Sequence, residues 1–342
     1  MHDAPALTPT PSSATQAAFD RLCEAHPMLI GIEQAGNVIP GMRRDLVLHA
    51  GPPITWDRME SAMRASILGG LVFEGLCETI EEAEALAGSG KISFAPAHDH
   101  AAAGAMAGTI TASMPVFIVE ERNSGLRSYV GVNEGLGKAL RFGANGPEVL
   151  ERLRWMRDGL YPLLKQALAI SGPMDLKLMI AEALRRGDEV HNRNKAATSQ
   201  FFREIALALV ATRAPHDELE KALRFISGND HFFLSLSIAH AKAVSLYVEE
   251  LGAGDIVTVM AGNGVEVGIR VASLGKRWFT APASVADVNL FEGHGLDEAT
   301  PTMGDSYITE SIGLGAFALA AAPALSAFIG GTVEELIARS ER

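Results

Sequence analysis

The residues Gly187-Asp188-Glu189-Val190-His191-Asn192-Arg193-Asn194-Lys195 place two acids, a histidine, two amides and two bases between two apolar segments, Leu176–Leu184 and Phe201–Val210. Charges held between buried helices must be paired, because an isolated charge taken out of water costs several kcal/mol. The alternative is a solvated helix junction, but the interleaving of amides with ionisable groups favours a site lining. In that reading Asp188, Glu189, His191 and Arg193 are candidate catalytic residues and Asn192 binds substrate. His191 or Glu189 would handle a proton, and Arg193 would grip carboxylate or phosphate oxygens in the paired manner open to a guanidinium.

Other polar clusters fall at the ends of expected strands and helices. The apolar strand Leu46-Val47-Leu48 runs into His49-Ala50-Gly51-Pro52-Pro53, and in α/β proteins such strand ends carry ligand-contacting backbone. The strand Ile92–Ala95 leads to His98-Asp99-His100, whose spacing suits either acid–base histidines or a weak zinc or manganese site. Asn133-Glu134 precedes a glycine-rich run, Gly135 to Gly146, containing Lys138, Arg141 and Asn145, a candidate anion cradle without the ending of a Walker loop. Asn229-Asp230-His231 precedes two phenylalanines, with Asn229 or Asp230 a suitable helix cap. Asn263, in a tight-turn Asn-Gly pair, and Glu266 mark a hairpin, and Asp305-Ser306 with Glu310 either cap a helix or bind ligand. Glu134 and His231 complete the catalytic candidates. His49, Gly51, His98, His100, Asn133, Arg141, Asn145, Asn229, Asn263, Glu266, Asp305, Ser306 and Glu310 join Asn192 as substrate-binding candidates.

The elements needed to position these groups give a mixed α/β chain. A tail over residues 1–15 precedes an α/β lobe over 16–146, with helices near Gln16–His26, Trp56–Leu76 and Ile80–Leu86 and strands at Met114–Val119 and Tyr129–Val132. Residues 147–251 read as helical, with Pro147 suited to a first helical position. Residues 252–342 read as an α+β lobe: a β-hairpin from Asp255–Met260 and Val265–Val271, a loop holding Asp287 and His294, and helices of small residues. The run Ser311–Val333 carries no charge. Its alanines, glycines and Pro323, without flanking anchors, favour a buried helix pair or subunit interface over a membrane span.

With 342 residues the chain can bury a full core, and at 48% hydrophobic but only 6% aromatic residues that core is aliphatic. A net charge of -12 argues against a nucleic-acid surface but not against a local anion site. Cys23 and Cys77 match no metal or redox spacing and read as buried thiols of a reducing compartment. The N-terminus lacks the pattern of a signal peptide, and a cytoplasmic protein is expected. The residues alone indicate an enzyme or enzyme subunit acting on a small polar substrate.

Several longer motifs go further. They are Leu48-His49-Ala50-Gly51-Pro52-Pro53-Ile54; Asn133-Glu134-Gly135 through Arg141-Phe142-Gly143-Ala144-Asn145-Gly146-Pro147; Gly187-Asp188-Glu189 with His191-Asn192-Arg193; Asn229-Asp230-His231-Phe232-Phe233; Asn263-Gly264-Val265-Glu266; Trp278-Phe279-Thr280-Ala281-Pro282; and Gly304-Asp305-Ser306 with Thr309-Glu310. Over about residues 20–333 the chain resembles the family of the AllG-type subunit of oxamate carbamoyltransferase. The resemblance implies phosphorolysis of oxalurate to oxamate and carbamoyl phosphate, in a complex with FdrA-like and other partner subunits, with a carbamate kinase downstream. No cofactor is assigned, a zinc or manganese site stays open at the histidine triplet, and phosphate and carbamoyl phosphate enter as substrate and product. Asn192 and Asn263 would then fix the planar ureido group. The chain lacks the Ser-Thr-Arg-Thr phosphate loop of aspartate and ornithine transcarbamoylases, and it has Ala97-His98-Asp99-His100 where a Cys-His-His is expected in relatives. Two other readings are a non-catalytic scaffold subunit and a metal-dependent amidohydrolase using His98, Asp99 and His100. A homo-oligomer is expected from the small-residue segments.

Overall fold

The computed structural model describes residues 10–285, 299–326 and 331–340. Its strands are β1 (Pro27–Gln34), β2 (Leu46–His49), β3 (Ser93–Pro96), β4 (Ala102–Ala103), β5 (Pro115–Glu121), β6 (Arg127–Gly131), β7 (Met174–Asp175), β8 (Val257–Asn263), β9 (Glu266–Val271), β10 (Phe279–Pro282) and β11 (Met303–Gly304). Its helices include α1 (Ser13–Glu24), α2 (Ala35–Val38), α3 (Ser61–Phe73), α4 (Ile80–Gly88), α5 (Pro147–Trp155), α6 (Tyr161–Ser171), α7 (Leu176–Arg185), α8 (Lys195–Ala211), α9 (His216–Ser227) and α10 (Phe232–Glu249). The mixed α/β class holds. Asp287 and His294 lie outside the described residues.

Three sheets organise the chain: a five-stranded sheet ordered β4-β6-β5-β1-β7, a four-stranded one ordered β10-β9-β8-β11, and the parallel pair β2-β3. β1 pairs antiparallel with β5 from Pro27↔Glu121 to Gln34↔Pro115 and was not expected from the sequence. A register shift between Leu29 and Gly31 breaks the alternation that marks a half-buried strand.

Helix α10 joins the sheets. All of it is buried except Leu246, Tyr247 and Glu249, as expected of a helix apolar on every side. Its serines return hydrogen bonds to the surroundings: Ser235 Oγ donates to Gly131 O (2.7 Å) and Ser237 Oγ to Val190 O (2.8 Å). It packs on β5 and β6 on one side and on β8 on another. Between α5 and α6 the helix expected as continuous winds through a π segment, Met156–Leu160, a feature that widens one turn.

Three expectations are corrected. Cys23 is exposed and Cys77 half-buried, because α1 turns Ala18 inward and presents Cys23 to solvent. In its described residues the run after Ser311 forms no helix pair but short 3-10 turns at Gly315–Ala321 and Pro323–Leu325. Gly313 and Gly315 sit at positive φ, and Pro323 removes a backbone donor, so an α-helix cannot run through. Helix α10 starts at Phe232 without a side-chain cap from Asn229 or Asp230. No helix among the described residues is long and apolar enough to cross a membrane.

Glu33 at the end of β1 ties the sheet to α6, accepting from Tyr161 Oη (2.6 Å) and Lys165 Nζ (2.6 Å). Burial raises its pKa, but bonds from Lys165, Tyr161, Gln34 and Asn37 outweigh that and hold it at about 2, against an ordinary 4.5. A carboxyl depressed in the folded state stabilises the fold above its unfolded pKa and loses that contribution as pH falls towards the folded value. The Tm gap between the native protein and Glu33→Gln should therefore be widest above pH 4.5 and close as pH falls towards about 2. A gap that stays constant across that range would show that the charge of Glu33 contributes nothing.

Candidate functional site

The loop between α7 and α8 is built around its own acids. Glu189 is fully buried, and its carboxylate accepts from three successive backbone N–H groups: His191 (2.9 Å), Asn192, and Arg193 (2.6 Å). Asp188 Oδ2 accepts from Ala197 N (2.9 Å) in the first turn of α8, where a negative charge is favourable, and its Oδ1 lies 3.3 Å from Arg193 Nε. Burial pushes both carboxyls above the usual range, although hydrogen bonds to backbone N–H pull against it. These two acids and Arg193 are thus engaged in shaping the loop, and the Asn192 side chain points to solvent. Val190, between the acids and His191, has φ +66°, a conformation strained for a β-branched residue.

That strain delivers His191. Its Nδ1 lies 2.9 Å from Glu310 Oε1 and its Nε2 3.0 Å from Ser306 Oγ. A carboxylate can only accept, so in the neutral ring Nδ1 carries the proton and Nε2 accepts from the serine hydroxyl. Glu310 is held in turn by Ala316 N, which donates to its Oε2 (2.8 Å). A Cβ on Gly315 would sit 2.0 Å from Glu310 Oε1, so only glycine leaves room for the carboxylate there.

Asp305, the neighbour of Ser306, does not cap its helix. Fully buried, it accepts from Gly51 N (2.8 Å) and Gly104 N (2.9 Å), and lies 3.2 Å from His98 Nε2. Gly51, at φ +79°, lets the turn after β2 approach Gly262, whose carbonyl carbon would lie 2.4 Å from an added Cβ. His49, at the end of β2, is buried, with its ring Nδ1 bonded to Ala50 O (2.8 Å). Burial pushes both His49 and His98 below the ordinary histidine range.

A second cluster lines an adjoining cavity of about 70 Å³, whose wall includes Gly104, Asn133, Glu134, Arg141, Met156 and Ser235. Arg141 donates to Gly135 O (2.6 Å), while its Nε and Asn133 Nδ2 are buried without partners among the described residues. Burial lowers the Arg141 pKa to about 10, which leaves it charged at neutral pH. Glu134 accepts from Leu140 N (2.9 Å) and Arg141 N (3.2 Å); burial raises its pKa. Asn229 Nδ2 donates to Asn133 O (3.0 Å) and its Oδ1 accepts from His231 N (3.0 Å). His231 is pushed down by burial and by the charge of Arg141. Lys138, the other base of the expected cradle, is exposed and pairs with Glu148 at 3.4 Å.

The remaining candidates stand apart. Asn263 organises the β8–β9 hairpin, accepting from Val265 N (3.0 Å) and Glu266 N (2.7 Å) and donating to Pro52 O (3.1 Å). Glu266 faces Arg58 at 3.5 Å, and Asn145 donates to Ala65 O (3.0 Å). The His98-Asp99-His100 triplet diverges: His98 turns to Asp305, Asp99 to Arg270 and His100 to Pro40 O. The three share no coordination point, and among the described residues no group of three or more His, Cys, Asp or Glu is placed to hold a metal ion. As placed, His98, Asp99 and His100 do not form the shared metal site that the amidohydrolase reading asks of them. Sequence reasoning missed Gly104 and Val190 as site-builders; the small-residue run Ala101–Gly108 was the only signal for the first, and nothing local marks the second.

An acid–histidine–hydroxyl network next to a cation-bearing cavity sits on a mixed α/β scaffold, and comparison supplies the family. The chain belongs to the family of the oxamate carbamoyltransferase subunit AllG, whose family profile matches residues 92–306. The oxamate carbamoyltransferase subunit AllG of Escherichia coli K12 is 40% identical over 335 residues, 96% of this chain and 80% of that protein. An uncharacterised protein of the same organism, YahG, is 43% identical over 326 residues, 95% of this chain and 69% of that one. The crystal structure of a conserved protein of unknown function from Enterococcus faecalis V583 superposes with a TM-score of 0.95 at 39% identity, covering 97% of this chain and 81% of the other.

Asp305→Asn keeps shape but puts an NH2 against a backbone N–H at Gly51 or Gly104. Stranding a buried donor and removing a charge-assisted bond should cost about 2–4 kcal/mol, read as a fall in Tm of several degrees. A Tm within about 1 °C of the native value would mean that the carboxylate is not the anchor described.

Proposed function

We propose that this chain is a subunit of a carbamoyltransferase acting on a small ureido acid, converting oxalurate and phosphate into oxamate and carbamoyl phosphate together with partner subunits. The observation that carries this reading is the 40% identity to the AllG subunit of oxamate carbamoyltransferase over 96% of the chain. The chemistry of the cavity supports it, since its wall joins Asn133, Glu134 and Arg141 to an otherwise largely apolar lining. Oxalurate presents a carboxylate and a row of amide donors and acceptors. The uncommitted donors of Arg141 and Asn133 match the acceptors, with the guanidinium favouring the carboxylate. His231, whose pKa is lowered by burial and by the charge of Arg141, stands near that guanidinium.

Arg193 is tied to Asp188, so in this reading Arg141 holds the anion and Arg193 holds the loop. Glu134 positions Arg141 by accepting its backbone N–H. The partners are FdrA-like and other subunits, as the resemblance implies, and self-association is a further part of the proposal.

The test is reconstitution of the chain with its partner subunits and measurement of carbamoyl phosphate formed from oxalurate and phosphate. Arg141→Ala should lower kcat/KM about 100-fold or more, the scale for losing a preorganised charge contact. With the native chain, oxalurate at about 100 times its Kd should stabilise the fold by about 2.7 kcal/mol, and the variant should lose that shift. Full activity of the complex with Arg141→Ala, and no ligand shift, would assign this chain a scaffolding role and the chemistry to a partner.

A further inference from the structure

We infer that Ser306, His191 and Glu310 form a nucleophilic relay in which the Ser306 hydroxyl takes the carbamoyl group from its donor before phosphate receives it. The identity of the donor rests on the reading above; the nucleophile does not. The hydroxyl, the imidazole and the carboxylate stand in series, 3.0 Å and 2.9 Å apart, with the tautomer that lets His191 Nε2 act as base. Nothing in the fold needs this series: the Ser306 side chain caps no helix, and the loop is already held by Glu189.

Backbone strain is concentrated around it. Among the described residues four non-glycines have positive φ, and two of them border the network, Val190 (+66°) beside His191 and Met106 (+54°) opposite Ser306. A Cβ on Gly304 would fall 3.0 Å from Met106 N and 3.5 Å from Ser306 Oγ, so glycine here lets the Met106 backbone pack close beside the serine. A backbone N–H flanking the nucleophile is the kind of donor an oxyanion requires. Gly104 belongs to the cavity wall and also bonds Asp305, the residue before Ser306, so the network stands next to that wall.

The chemistry balances without an oxidant or reductant. Ser306 Oγ attacks the ureido carbonyl carbon while its proton passes to His191 Nε2. The carbon–nitrogen bond to the oxamate portion breaks, and that nitrogen takes the proton from His191, releasing oxamate and leaving a carbamoyl ester on Ser306. A phosphate oxygen then attacks the same carbon, its proton passing to His191 and on to Ser306 Oγ, and carbamoyl phosphate leaves. Glu310 is the positioning residue: it does not touch the reacting carbon but fixes the ring.

The first experiment does not depend on oxalurate. The full chain, alone and with its partners, is treated with 4-nitrophenyl carbamate, and nitrophenolate release and intact mass are followed. One carbamoyl group on the peptide holding Ser306 is expected. Ser306→Ala and His191→Gln should slow labelling at least about 100-fold with folding preserved by circular dichroism. Glu310→Gln should also slow it, and Glu310→Asp should restore part of the rate. The second experiment measures exchange of isotope-labelled oxamate into oxalurate by the complex without phosphate, expected in the native complex and absent with Ser306→Ala. Labelling elsewhere, or none, overturns the relay. Turnover that requires phosphate for any exchange and persists in Ser306→Ala overturns it while leaving the carbamoyltransferase reading intact. Labelling at Ser306 with no turnover of oxalurate upholds the nucleophile and overturns the choice of donor.

Discussion

The carboxylate of Asp305 is the fixed point of the molecule. It is wholly removed from water, yet it accepts from backbone N–H groups at Gly51 and Gly104 and borders His98. Those residues come from the turn after β2, the loop around β4 and the segment after β3, so one side chain brings three distant stretches to the end of β11. A buried anion is tolerable only when its lone pairs are filled, and charge-assisted bonds to backbone donors fill them at fixed positions. Ser306 follows directly, and its place opposite His191 is inherited from that anchor. The turn at Gly51 also lies hard against Gly262, which couples the parallel β2-β3 pair to the four-stranded sheet.

Helix α10 supplies the second constraint. Because it is buried on every side, its polar residues must be satisfied within the protein, and they are used as spacers between elements. Ser237 takes the carbonyl of Val190 and Ser235 that of Gly131, so the loop carrying His191 and the strand leading to Asn133 are set at one height on the same helix. The two clusters are thereby registered to each other by a single rigid element.

Much of this was legible in the sequence, and the reasons are local. The helices from Pro147 to Glu249 carry strong apolar periodicity and recognisable ends, and the Asn263-Gly264 turn announces its hairpin. The Asp188–Arg193 block stood out because charges lay between apolar helices. What stayed hidden depends on tertiary structure. The bulge of β1 erases its alternation. The roles of Asp188 and Glu189 as acceptors for backbone N–H depend on which way the loop turns. The meeting of His191 with Ser306 and Glu310 spans more than a hundred positions, with no local pattern to suggest it. His98, Asp99 and His100 looked like a ligand set only because adjacency in sequence was taken for convergence in space.

Glu189 has a consequence for how the loop responds to damage. Three successive amides share one carboxylate, so losing that side chain removes three contacts of the turn at once. The positive φ of Val190 would then rest on its own N–H bond to Arg193 O and on the bond from Ser237 to its carbonyl. Damage at this one position is therefore felt along the whole turn that carries His191.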